Sequence, residues 1–208
     1  MKAFPKDGDS RLREFLAGEY NRLKRHDEAL ELIWKNYTEH PGLGAYQPLK
    51  EQSDRTAQWP KWREKAVDFL RQRFKTDKRR AAEQSWRQPH QSDLVEILLW
   101  EKDVDGAWRE ANEGGCHPEL WSKLAELREK EHPGDALQVC RAEVKRILER
   151  TGSPDYAGAV RLVRRVRELM IRIGRGEEFA GYLAELRAVY KRKRNLMTLL
   201  DRVKLASA

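Results

Sequence analysis

The chain has 208 residues, 39% hydrophobic and 37% charged, and a net charge of +8. Seven Trp and six Tyr exclude a disordered chain, which is poor in large aromatics. No run of about 18 apolar residues occurs, and Met1 to Ser10 lacks the apolar stretch of a secretory signal, so the expected location is cytoplasmic with no membrane contact.

Strict apolar-polar alternation is almost absent, and helical spacing runs from end to end. A first helix is expected from about Ser10, which would cap it, with Leu12, Phe15, Leu16, Tyr20 and Leu23 on its apolar stripe. A second follows from Asp27, with Ala29, Leu30, Ile33, Trp34 and Tyr37, and stops at Pro41. A third covers about Leu43 to Gln52. A fourth starts at Trp59-Pro60 and carries Trp62, Ala66, Phe69, Leu70 and Phe74.

Thr76 to Ser92 has no clean apolar stripe and reads as a loop or a short exposed helix, where a single helical-repeat domain over 1–208 could break into two sub-arrays. Ser92 then caps an apolar helix, Leu94 to Trp100. Its partner, Asp103 to Gly115, carries Val104, Ala107, Trp108 and Ala111 and ends at a Gly pair suited to a C-terminal cap. Pro118 opens the next helix, and His132-Pro133-Gly134-Asp135 turns into a long one reaching about Thr151. The last three helices are the most regular: Tyr156 to Ile173, Phe179 to Tyr190, and Asn195 to Leu205 with Leu196, Leu199, Leu200 and Val203. Helices in loose pairs with an odd terminal one are expected to stack into an all-α solenoid, because one pair cannot bury its apolar face alone.

The first pair resembles a tetratricopeptide repeat. Aligned on Ala29, the family's small and large positions fall on Leu16, Ala17, Tyr20, Ala29, Ile33 and Pro41, while Arg13 stands where the family often has Trp and Asn36 where it has Ala. Ala107 and Ala136 hold the central small position in later pairs at a spacing of 29 residues, so the array is degenerate. The resemblance implies antiparallel pairs in a right-handed superhelix.

A second resemblance rests on Trp59-Pro60-Lys61-Trp62-Arg63-Glu64-Lys65-Ala66, Glu101-Lys102-Asp103-Val104-Asp105-Gly106-Ala107-Trp108 and Tyr190-Lys191-Arg192-Lys193-Arg194-Asn195-Leu196-Met197. These segments look like the C-terminal helical region of bacterial SWIM zinc-finger family proteins. That family's zinc motif, C-x-C followed by C-x-H, does not occur in this sequence, so the resemblance implies a metal-binding part outside the chain, upstream of Met1.

The excess charge sits in the last third. From Arg141 to Ala208 there are 17 Lys and Arg against 8 Asp and Glu, the asymmetry of a surface for nucleic acid or an acidic partner. The basic tract Lys191, Arg192, Lys193 and Arg194, with Arg187 and Arg202, gathers cations at one helix junction. Such a tract can hold phosphates, or it can be a solvated linker that caps the preceding helix dipole. A second cluster, Arg161, Arg164, Arg165, Arg167, Arg172 and Arg175, lies on and just after the 156–173 helix. Glu168 is positioned to pair with Arg164, Arg165 or Arg172, which would make that face an ion-laced surface.

Trp34, Trp62, Trp100, Trp108 and Trp121 fall on apolar faces and are expected in the core; Trp59 and Trp86 are less constrained. Cys116 and Cys140, 24 residues apart, match no zinc-ligand spacing and read as reduced thiols in or near the core. Cys116-His117 has the residue types of a nucleophile and a base, but neighbours in sequence rarely face each other. The other histidines show no ligand spacing, and no phosphate-binding glycine loop or metalloprotease motif is present. The expectation is a non-enzymatic scaffold, without cofactor or metal, that holds a protein or peptide; its binding residues would be Arg161, Arg164, Arg165, Arg172, Arg187 and Lys191 to Arg194. The alternative is a nucleic-acid-binding helical arm using the same basic third. A helical enzyme built on Cys116 or a carboxylate pair is the remaining reading.

Overall fold

A computed structural model describes residues 9–84, 89–150 and 154–202, and of residues 83 and 84 the backbone alone. Trp86, Thr151, Val203 and Leu205 lie outside the described residues, as does the segment 1–8. All regular structure among the described residues is helical. The chain divides into two compact units, Met1–His117 and Pro118–Ala208.

The first unit holds α1 (Ser10–Arg22), α2 (His26–Glu39), α3 (Leu43–Arg55), α4 (Trp59–Gln84), α5 (Ser92–Trp100) and α6 (Val104–Gly114). Neighbours in sequence pack as neighbours in space from α1 to α6, and α3 also touches α5. The second unit holds α7 (Pro118–Arg128), α8 (Pro133–Glu149), α9 (Tyr156–Arg172), a short 3₁₀ turn at Gly176–Glu178, α10 (Phe179–Val189) and α11 (Arg194–Asp201). There α8 packs on both α7 and α9, and α11 returns to α9.

The stripe assigned to α1 is rotated. Leu12, Phe15 and Leu23 are 47%, 64% and 66% exposed, while Arg13 and Ala17, one turn apart, are buried. The reason is an ion pair. Arg13 reaches Glu39 at the end of α2, with Nη1 donating to Oε1 at 2.7 Å and Nη2 donating to Oε2. Satisfying a buried guanidinium outweighs burying one more apolar side chain. Asn36 donates to the Ser10 carbonyl at 3.2 Å across the same helix pair. Ala17 and the wholly buried Ala29 let α1 and α2 approach closely.

Two expected caps are shifted by one residue. Asp9, not Ser10, caps α1, its Oδ1 accepting from the Arg11 amide at 2.9 Å. Ser92 begins α5 rather than preceding it; buried there, its hydroxyl accepts from the His117 amide at 2.9 Å. The stretch after residue 76, expected as a loop or a short exposed helix, instead prolongs the preceding helix. Helix α4 continues through Gln84 as 26 residues. Lys75 to Gln84 has no Gly or Pro, and Arg73 and Asp77 form an i,i+4 pair at 3.9 Å, which lets a polar helix continue through Gln84.

The core of the first unit is aromatic. The Trp34 ring lies 5.5 Å from Tyr37 and from Trp62, and Tyr37 lies 5.9 Å from Phe69. Tyr37 is fully buried and donates to the Ala66 carbonyl at 3.1 Å. Tyr46, also fully buried, donates to Glu101 at 2.8 Å, and Arg63 clamps the same carboxylate at 2.6 Å. Burial and the neighbouring Glu101 charge push the Tyr46 phenol far up. Trp100, expected in the core, is 39% exposed at the end of α5 with its ring 6.1 Å from Tyr46. In the second unit the core is mostly aliphatic: Leu124, Val144, Leu148, Val163, Val166, Leu169, Leu196 and Leu200 are buried, with Phe179 and Tyr182 as buried aromatics.

Four helix ends share one closure. The residue three past the last helical one donates five back: Arg25 to Tyr20, Gln58 to Ser53, Asp103 to Leu98 and Arg175 to Met170, at 2.7–2.9 Å. Each puts the preceding residue in the left-handed region, at Lys24, Ala57, Lys102 and Gly174. This is the six-to-one bond that satisfies end carbonyls and reverses the chain in three residues.

Candidate binding surface

The predicted cations of the second unit divide into two groups. Those on α9 are largely neutralised within the unit. Arg165 donates to Glu129, from the α7–α8 connection, and to Glu168 at 2.7 Å. These hydrogen bonds raise its guanidinium above the ordinary value, that to Glu129 most. Arg172 sits 3.5 Å from the same Glu129 and donates to the Lys130 carbonyl at 2.9 Å. Arg161 lies 3.5 Å from Asp155. Arg175 is bound by Glu178, whose carboxyl it holds below the usual range. Arg187 of α10 pairs with Asp201 of α11 at 2.9 Å. Arg164 is exposed and Arg167 half-buried, and among the described residues neither has a carboxylate partner.

The second group is the α10–α11 junction. The turn closes through the Lys193 amide donating to the Tyr190 carbonyl at 2.9 Å. Lys191, Arg192 and Arg194 are exposed, and among the described residues none has a carboxylate partner. Lys193 is half-buried with its Nζ 5.7 Å from the Tyr156 ring centroid, near the start of α9. Helix α11 begins here with no side-chain cap and no acidic residue in its first turn. Its free amides and dipole therefore add positive potential to the cations already present. Cations suit the C-terminal end of α10 that precedes them, but at the start of α11 they stand uncompensated. An incoming carboxylate or phosphate would be stabilised by both.

The sequence reading named these cations but missed the partners that separate them. Glu129 lies 36 residues from Arg165 and farther still from Arg172, and Asp201 lies 14 from Arg187, with no local signal. Asp155 did carry one: it caps α9 by accepting from the Gly158 amide at 2.7 Å, as Asp103 caps α6 through Gly106 at 2.8 Å. Asp-x-x-Gly is thus a repeated helix start in this chain.

The residues considered for catalysis lie elsewhere. Cys116 is half-buried, and burial pushes its thiol up to about 12, so it is a protonated thiol at neutral pH. The His117 ring packs 4.1 Å from His90. Burial likewise raises the Cys140 thiol. Among the described residues no three His, Cys, Asp or Glu gather as a set that could hold a metal, and no helix is long and apolar enough to cross a membrane. Comparisons with protein-family models, with curated proteins and with solved structures give no match.

Proposed function

We propose that this chain is a non-enzymatic, cytoplasmic scaffold that binds an acidic protein or peptide segment at the α10–α11 junction. In this reading the helix pairs form a tetratricopeptide-like, right-handed solenoid, and the shared closure of four helix ends supports a repeated construction. One observation carries the binding reading: Lys191, Arg192 and Arg194 are exposed beside an uncapped helix start, while Arg165, Arg172 and Arg187 are held by carboxylates of their own unit. An acidic side chain gains most where the protein supplies no anion itself. Arg164 is a further exposed cation of this unit, and Arg161 contributes less because Asp155 screens it.

A nucleic-acid reading is favoured by a separate observation, the charge of residues 118–208, where 20 Lys and Arg face 13 Asp and Glu. The SWIM-like segments point the same way by resemblance alone. Fluorescence anisotropy separates the two. A labelled Glu-rich peptide is expected to bind, with affinity falling only modestly between 50 and 200 mM salt, since few exposed pairs are involved. If instead a duplex or single-stranded oligonucleotide binds more tightly, with an affinity falling about tenfold or more over that range, the nucleic-acid reading replaces the first.

A further inference from the structure

The first unit carries a pair of histidines that nothing proposed for α9 to α11 uses. His90 precedes α5 and His117 follows α6, and their ring centroids lie 4.1 Å apart with both residues exposed. Two hydrogen bonds hold their segments side by side. The Gln91 amide donates to the Gly115 carbonyl at 2.9 Å, and the His117 amide donates to the Ser92 hydroxyl at 2.9 Å. Gly115 turns the chain into this course at φ 69°, in the left-handed region that glycine adopts without strain. The two imidazoles are thus brought together by anchored backbone on both sides.

His90 also lines a cavity of about 380 Å³ between α4 and the start of α5. The full charges of its lining are Asp77 and Asp93 against Arg73, a balance that favours a cation. A neighbouring wall residue, Gln91, supplies an independent sign of a ligand. It is 5% exposed, and its Nε2 donates to the Glu110 carbonyl at 3.4 Å, which fixes the orientation of the amide. Its Oε1 is then a buried acceptor with no hydrogen-bond partner among the described residues. A buried acceptor is costly unless some group donates to it.

We infer that His90 and His117 together bind a divalent first-row transition-metal ion of the zinc, nickel or copper class. Imidazole nitrogen is the ligand these ions favour, whereas magnesium and calcium take oxygen. At this ring separation one ion can bond a nitrogen of each imidazole at about 2.1 Å on neighbouring coordination positions. Each ring has two nitrogens, so one can bind the ion while the other keeps a hydrogen bond. Cys116 is not a third ligand, since no three His, Cys, Asp or Glu gather as a metal set among the described residues. Two imidazoles fill half of a tetrahedral shell and water fills the rest. A metal-bound water on the cavity side donates to Gln91 Oε1, and the cavity carboxylates offset the ion's charge. With two protein ligands the ion is held reversibly, unlike a four-ligand structural zinc. The site does not depend on the α10–α11 proposal.

The test is an NMR titration of the full chain, labelled with nitrogen-15, using zinc chloride and following the imidazole nitrogens. The expected result is a saturable shift of the His90 and His117 rings, while the rings of His26, His40 and His132 stay in place. Magnesium chloride should shift neither ring, because that ion takes oxygen ligands. His117→Ala and His90→Ala, both at exposed positions, should each lower the zinc affinity about tenfold or more, whereas Cys116→Ser should leave it unchanged. Circular dichroism checks that each variant folds; if one histidine variant does not, the other decides. Absence of saturable shifts at the two rings, an equal response to magnesium, an unaltered affinity in a folded histidine variant, or loss of binding in Cys116→Ser would each overturn the inference.

Discussion

Side chains in similar surroundings have opposite roles in this protein. Tyr37 and Tyr182 are both buried, but the Tyr37 hydroxyl donates to the Ala66 carbonyl while the Tyr182 hydroxyl has no partner among the described residues. Tyr37→Phe should therefore cost about 1 kcal/mol, and Tyr182→Phe should be neutral or stabilise by up to about 1 kcal/mol, by urea unfolding. Burial holds the Tyr182 phenol up at about 12, consistent with a hydroxyl that would only be harder to ionise. Backbone positions split in the same way. Lys102 sits in the left-handed region at φ 65°, where a side chain is strained, so Lys102→Gly should stabilise by about 1 kcal/mol. Gly181 in α10 has open space around an added Cβ, and Gly181→Ala should gain about 0.5–1 kcal/mol. Gly158 differs, because its Cβ would run into the capping Asp155 carboxylate. There Gly158→Ala should show no gain, the better propensity being cancelled by a displaced cap worth about 1 kcal/mol.

At the scale of elements, most helix positions and buried faces were legible, and the rotation of α1 was not. Pro41, Gly114-Gly115, Pro118 and the turn at Pro133-Gly134 mark ends that the structure keeps within a few residues. The buried Val163, Val166 and Met170 follow directly from the period of α9. The rotation of α1 was hidden because apolar residues occur on two of its sides and because Glu39 is 26 residues from Arg13. The local pair Arg165–Glu168 was visible from spacing alone, but the hold of Glu129 on Arg165 and Arg172 depends on tertiary packing. The α1–α2 clasp has a pH signature. Arg13 holds the Glu39 carboxyl below its usual value. A carboxyl depressed in the folded state stabilises above its unfolded value, about 4.3, and that contribution fades as pH falls through the lower folded value. Glu39→Gln should consequently lower the thermal midpoint at pH 7 and narrow its gap to wild type below about pH 4, followed by circular dichroism.

On the scale of the whole molecule, charge and chemistry are unevenly divided between the two units. Residues 118–208 carry nearly all of the net charge, and the first unit carries the paired imidazoles of His90 and His117. The basic character was legible from composition. Which cations are free to meet a partner was not, since that depends on where each unit's own carboxylates fall. The measurement that tests the central claim most directly is anisotropy of a labelled Glu-rich peptide with wild type and with the combined Lys191→Ala, Arg192→Ala and Arg194→Ala variant. The binding surface described predicts a loss of about tenfold in affinity, with the fold intact by circular dichroism. An unchanged affinity, or a loss matched by Arg165→Ala or Arg172→Ala, would contradict the assignment of the α10–α11 junction as the contact surface.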